Sequence, residues 1–189
     1  MRSTPTASIN SKQRIVAAYD YTDEAGVLLY QTVRYEPKDF NQRRPDGSGG
    51  WTWSLGDVRL VPYRLPLIVA RHAQPVVIVE GEEDVHALEK LGLLATTNPM
   101  GAGKWRVDYS FLLRGRRCVV LPDDDEAGHR HAEHVLGSLI CHGAASVRVM
   151  RLPGAKDARD WLKDRDGKYT AAKKELVELI RQAANWQPT

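Results

Sequence analysis

Two short apolar runs that end abruptly in acid constrain this chain more than any other feature. Residues 76–79 read Val-Val-Ile-Val and pass straight into Glu80-Gly81-Glu82-Glu83-Asp84. Residues 118–122 read Cys-Val-Val-Leu-Pro and pass into Asp123-Asp124-Asp125. A continuous apolar run of this length suits a strand covered on both faces, as in a parallel sheet with helices on each side. Helical spacing follows each run. Asp84, Val85, Ala87, Leu88 and Leu91 precede a stop at Gly92, and a second helix is expected from Glu126 to about Cys141. Further strands are expected at 93–96 and 146–150, and a last helix at about 170–184. This alternation predicts an α/β fold over 75–165, a mostly parallel sheet flanked by helices and wound through right-handed crossovers.

The first part of the chain has another texture. Residues 1–13 are polar and are expected to form a flexible tail. Residues 14–74 then read as a small β-rich subdomain. IVAAYDY and VLLYQTVRY flank the turn Asp23-Glu24-Ala25-Gly26, which predicts a hairpin. A polar stretch, KDFNQRRP, and a glycine-rich loop, DGSGG, lead to Trp51-Thr52-Trp53, which alternates like a strand. Residues 166–189 hold the last helix, and no internal repeat is present.

Composition narrows the function classes. The apolar runs fall far short of the roughly 20 residues a membrane span needs, and the first ten residues lack the apolar stretch of a secretory signal. Two cysteines, Cys118 and Cys141, cannot build a disulfide framework or a four-ligand zinc site; they fit a reducing cytoplasm. The net charge of +3 divides unevenly: +3 over residues 1–74, −2 over 75–162 and +2 over 163–189. An acidic middle between basic flanks suits a site that holds cations while its surroundings attract a polyanion.

The chemistry resides in the acids. A third acidic set, Lys156-Asp157-Ala158-Arg159-Asp160, follows the strand expected at 146–150. Ligands of open α/β sheets bind at the carboxyl ends of the strands, so three such sets converge on one place. Their repulsion is relieved by hard divalent cations with oxygen ligands, and two such ions suit phosphoryl transfer. Each set also has a purely structural use: Glu82, Glu83 and Asp84 complement a helix dipole, and Asp125 can cap the helix at Glu126. Glu80 is the sharpest case, because an acid still on the strand has no such use. Other signatures fail. Ala127 and His134 break an EF-hand register begun at Asp123, Trp105 and Asn98 break a Walker A loop around Gly103-Lys104, and no Gly-x-Ser-x-Gly elbow occurs. His129, His131 and His134 read as a solvated helix face.

In VVIVEGEEDVHAL, LPDDDEAG and LPGAKDARDWL the chain resembles a TOPRIM domain, the metal-binding module of bacterial-type primases, topoisomerases and some nucleases. The resemblance covers about 75–165. It assigns Glu80 as the catalytic Glu before Gly81, Asp123 and Asp125 as the Asp-x-Asp pair, Asp84 as an additional acid of primases, and Asp157 with Asp160 as the last acidic motif. Together with YRLP and NPMGAGKW, the run KDFNQRRPDGSGGWTW is similar to primases and primase–helicases of phages, plasmids and mobile elements. By that analogy Lys38, Arg43, Arg44 and Lys104 would contact phosphate; Trp51 and Trp53 could stack on bases, although alternating strand tryptophans are more often packing residues.

The resemblance implies Mg²⁺ or Mn²⁺, two ions held by Glu80, Asp84, Asp123, Asp125, Asp157 and Asp160, with Glu80, Asp123 and Asp125 catalytic and no zinc. It implies RNA primer synthesis on single-stranded DNA from nucleotides, with a helicase or a separate zinc-binding module as partner and no membrane. The chain departs from the family in lacking the cysteines of the upstream zinc module of replicative primases and in carrying Asp124 where relatives often have Asn. A metal-dependent nicking nuclease and a non-catalytic single-strand-binding accessory stay open as alternatives. A complete topoisomerase needs more chain than 189 residues.

Overall fold

The computed structural model describes residues 14–184; the tail expected at 1–13 lies outside the described residues. Four antiparallel strands come first: β1 (Arg14–Thr22), β2 (Leu28–Glu36), β3 (Asp39–Pro45) and β4 (Trp51–Thr52), paired in that order. The β1–β2 hairpin turns at the expected place, where the Asp23 carboxylate accepts the amide hydrogens of Ala25 and Val27. β3 is a strand where the sequence reads only as a polar stretch. Its side chains stay exposed or half-buried, and pairing with β2 from Gln31–Arg43 to Tyr35–Asp39 satisfies its backbone.

A short helix α1 (Leu65–Ala70), with proline in its first turn, leads into the second layer. There β5 (Val76–Ile78), α2 (Glu82–Lys90), β6 (Ala95–Thr96), α3 (Val107–Leu112), β7 (Arg117–Val120), α4 (Glu126–Cys141) and β8 (Ser146–Val149) follow in turn. Helices α5 (Ala158–Lys163) and α6 (Tyr169–Gln182) complete the fold. The sheet is parallel throughout, in the order β6-β5-β7-β8. The short helices α1, α3 and α5 have no counterpart in the sequence reading, because six residues carry too few turns for a periodic signal.

Alternation along β5 explains its apolar run. Val76 and Ile78 face one core with Tyr109, Leu113, Val135 and Leu139. Val77, and Val79 just beyond the strand, face the other with Val85, Leu88, Trp161 and Leu176. That second core also takes in Tyr19, Tyr21 and Tyr30, so the antiparallel sheet and the parallel layer share one apolar interior. Among the described residues no helix is long and apolar enough to cross a membrane.

Candidate metal and phosphate cleft

The strand order β6-β5-β7-β8 places a topological switch between β5 and β7: the chain leaves β5 toward β6, then returns past β5 to build β7. The carboxyl ends of these two strands open a crevice there. Glu80 leaves β5 and Asp123 leaves β7. One carboxylate oxygen of Glu80, Oε1, accepts the backbone N–H of Asp123 at 3.1 Å and ties the two ends together. Gly128 in the first turn of α4 packs over this tie. A Cβ on Gly128 would lie 2.4 Å from both Glu80 Oε1 and the Asp123 carbonyl oxygen, so only glycine allows the approach.

Asp84 and Asp157 complete an acidic floor. All four carboxylates line one cleft of about 260 Å³. Asp84 Oδ1 accepts the Arg159 N–H at 2.9 Å, which fastens α2 to the start of α5. Asp157 caps α5, accepting the Asp160 N–H at 2.7 Å. Burial, reinforced by the Asp123 charge, pushes the Glu80 carboxyl up to about 7. Burial also raises Asp84 to about 7, with Asp157 and Asp123 adding to it against the opposing Arg159 amide hydrogen bond. Asp123 is raised by burial and then by Asp157. Burial, with neighbouring charge added, thus makes Glu80, Asp84 and Asp123 costly to hold ionised, and an added cation would relieve these three.

Cations line the walls above the floor. Arg34 and Lys38 come from the antiparallel sheet, Lys156 and Arg159 from the segment before α5 and its first turn. Of these only Lys38 was singled out from sequence. Arg34 sits in the alternation of β2, where a lone basic residue gives no signal, and Lys156 and Arg159 were overshadowed by the acids between and after them. Phe40, Tyr19, Met100 and Gly101 add to the wall, and Glu82 and Glu83 of α2 also line the cleft.

Other expected site residues lie elsewhere. Asp125 caps α4, accepting the Gly128 N–H at 2.9 Å, and it lies beside the cleft lining while still adding negative charge to Glu80 and Asp123. Asp160 faces an adjoining groove with Lys90, Lys163 and Tyr169. Arg43 stacks on the sheet surface, its guanidinium 4.0 Å from the Trp51 ring and 5.4 Å from that of Trp53. Arg44 lies half-buried next to it, and Lys104 is exposed beyond the glycine-rich loop; neither lines the cleft. The histidines of α4 do not form one solvated face. His131 is 4% exposed and its Nδ1 accepts the Gly103 N–H at 3.0 Å, because the loop 98–103 folds back over that helix turn.

The donors of the floor are all carboxylate oxygens, which fits a hard divalent cation. Among the described residues no three His, Cys, Asp or Glu side chains are gathered closely enough to cage an ion alone. The arrangement is therefore open, like sites in which one or two carboxylates and substrate phosphates share the metal.

No family model matches the chain. Its sequence is 35% identical over 124 residues to a DNA primase of Synechococcus elongatus and 27% identical over 117 residues to one of Synechocystis sp.. These alignments take in 62% and 58% of the chain but only 17% and 18% of the two relatives, so the chain spans a small part of their length. In structure it is similar to the zinc-binding and RNA polymerase domains of Aquifex aeolicus primase, with a TM-score of 0.66, 17% identity, and coverage of 89% of this chain and 40% of that one. The DnaG primase catalytic domain bound to ssDNA matches with a TM-score of 0.62 and 20% identity, covering 89% and 53%. The antiparallel sheet and the helix-flanked parallel sheet together therefore have the fold of primase catalytic cores, and these likenesses support a primase-type TOPRIM domain in the parallel layer.

Proposed function

We propose that this chain is the catalytic part of a DNA primase-type nucleotidyltransferase, which makes RNA primers on single-stranded DNA during replication of a phage, plasmid or mobile element. The observation that carries the reading is the cleft at the switch point, where Glu80, Asp84, Asp123 and Asp157 form the floor and Arg34, Lys38, Lys156 and Arg159 the walls. Bound there, Mg²⁺ or Mn²⁺ would neutralise nucleotide phosphates and lower the energy of an attacking hydroxyl. The wall cations bind and orient the triphosphate, so that its α-phosphorus faces a primer 3′-hydroxyl in line; the new oxygen–phosphorus bond forms as the bond between the α- and β-phosphates breaks and pyrophosphate leaves. Glu80 Oε1 is already committed to the Asp123 amide, which leaves Oε2 to take the hydroxyl proton. Asp125 keeps α4 in register and adds its charge next to Asp123.

Template contacts fall to Lys38 at the cleft, to Lys104 on the loop, and to the platform of Arg43, Arg44, Trp51 and Trp53. A neighbour in structure is a primase catalytic domain solved with ssDNA, and another is the primase domain of phage T7 gp4 in a lagging-strand polymerase assembly, which supports single-stranded DNA and a helicase as partners. A zinc-binding module would act from another segment or another polypeptide, and the cytoplasm is the compartment.

The test pairs two substrates with one variant. The protein is incubated with Mn²⁺ or Mg²⁺, single-stranded DNA and ribonucleotides, and separately with supercoiled plasmid, alongside Glu80→Gln. Primers reduced at least ~100-fold by Glu80→Gln are expected. Nicked plasmid without primers would assign the nuclease chemistry, and DNA binding without either product would assign an accessory role.

A further inference from the structure

The first turn of α2 carries three successive acids, and all three line the cleft with Glu80. Glu82 and Glu83 are spoken for by the opposite sheet. The Tyr21 hydroxyl donates to Glu82 Oε1 at 2.7 Å, and the Tyr19 hydroxyl donates to Glu83 Oε1 at 2.7 Å. Glu82 is 7% exposed and Tyr21 fully buried. The Tyr21 ring is fixed in turn by stacking on Tyr30 at 4.7 Å, and the Tyr30 hydroxyl donates to the Val61 carbonyl at 3.0 Å. Further along the same helix face, His86 meets the Tyr63 hydroxyl at 2.9 Å and Glu89 pairs with Arg64 at 2.8 Å. Positions 82, 86 and 89 recur at helical spacing, so one side of α2 is zipped to the first 64 residues while the other side packs into the parallel layer.

A charged carboxylate enters an apolar core only where a partner holds it. Here the partner comes from β1, 61 residues earlier in the chain. The bond lies between the two residues that matter most in the cleft, two positions after Glu80 and two before Asp84. It also fixes the distance between the carboxylate floor and the Arg34–Lys38 wall, because both tyrosines belong to the sheet that carries that wall. We infer that Tyr21, seconded by Tyr19, is a positioning residue: its hydroxyl, through Glu82, sets Glu80 and Asp84 in register with the phosphate-binding wall. This inference rests on the cleft reading above, but it has a readout of its own.

Two measurements on the full chain decide it. The first is Mn²⁺ affinity by calorimetry, with Mn²⁺ as the probe. The second is amide hydrogen exchange at Asp84 and Val85, which bond to the Gly81 carbonyl, and at Arg159, which bonds to Asp84. Tyr21→Phe removes one oxygen and should weaken Mn²⁺ binding about tenfold while those three amides exchange about tenfold faster. Amides of Val119 and Val120 should not change. Glu82→Gln keeps an oxygen to accept the phenol hydrogen, so the three amides should exchange as in the unmodified protein, whereas Glu82→Leu should speed them as Tyr21→Phe does. Tyr19→Phe should give a smaller effect of the same kind.

Unchanged exchange in Tyr21→Phe overturns the inference, as does a uniform acceleration of every amide, which would make the tyrosine an ordinary stabilising residue. Local acceleration with Mn²⁺ affinity intact would also overturn it. If the unmodified protein binds no Mn²⁺, the metal reading of the cleft fails, and the exchange pattern alone still decides whether Tyr21 holds the turn.

Discussion

At the scale of single residues, the cleft depends on contacts that tolerate no added atom. Gly128 is the plainest case, since a Cβ there would lie 2.4 Å from both Glu80 Oε1 and the Asp123 carbonyl oxygen. Gly128→Ala must move backbone as well as side chain, because one of the atoms it meets is a carbonyl oxygen. The expected outcome is a loss of about 1–3 kcal/mol by urea unfolding, together with weaker Mn²⁺ binding as Glu80 is pushed off Asp123. Gly137→Ala is the control, since a Cβ there meets nothing within 4 Å. Equal stability of the two variants would show that the turn relaxes freely. The acids at this scale were legible to different degrees. Glu80 and Asp123 follow apolar strands directly, and that order of residue types has few other uses. Glu82 looked like a dipole-complementing residue, because its partner Tyr21 is remote in sequence and a helix end offers a sufficient local explanation.

Among elements, the long ones were readable and the short ones were not. The helix Glu126–Cys141 has the bounds its spacing predicts, β5 and β7 fall on their apolar runs, and β8 falls on the strand expected at 146–150. Three six-residue helices and the polar strand β3 went unread, since tertiary pairing and not local pattern holds them. His131 shows the same limit from the side of packing. It looked solvated among its neighbours on α4, yet it anchors the loop 98–103, which supplies Met100 and Gly101 to the cleft wall. Burial, followed by the His134 charge, pushes His131 down to about 4 from 6.5. A histidine with a depressed folded value is neutral in the native state while the unfolded chain takes up a proton. Its contribution to stability is therefore full above pH 6.5 and declines as pH falls toward 4, by about 3 kcal/mol over the window. His131→Asn keeps an acceptor for the Gly103 N–H but cannot titrate. Urea unfolding between pH 4 and 7 should show a shallower pH slope for this variant than for the unmodified protein. Identical slopes would remove His131 as the source.

For the molecule as a whole, charge has to be read by place. The total of +3 describes neither the acidic floor nor the cationic walls, and the two lie within one cleft. A polyanion approaching the floor meets repulsion from Glu80, Asp84, Asp123 and Asp157, so its hold must come from the walls and from the sheet platform. Each cation that displaces counterions from a single strand should contribute about 0.7 to the slope of log affinity against log salt concentration. Lys38→Ala and Lys104→Ala should each lower that slope by about 0.7 in fluorescence titrations with single-stranded DNA, and Arg43→Ala should do so if the strand continues over Trp51. Arg130, which pairs with Glu126 on the exposed side of α4, is the control and should leave the slope unchanged on substitution by alanine. A divalent cation tests the other half of the balance. Adding Mn²⁺ at constant ionic strength should strengthen single-strand binding to the unmodified protein and not to Glu80→Gln, because the repulsion it screens arises at the floor. If Lys38→Ala and Lys104→Ala leave the slope intact while Arg43→Ala lowers it, the strand follows the sheet platform alone, and the cleft walls are reserved for the incoming nucleotide.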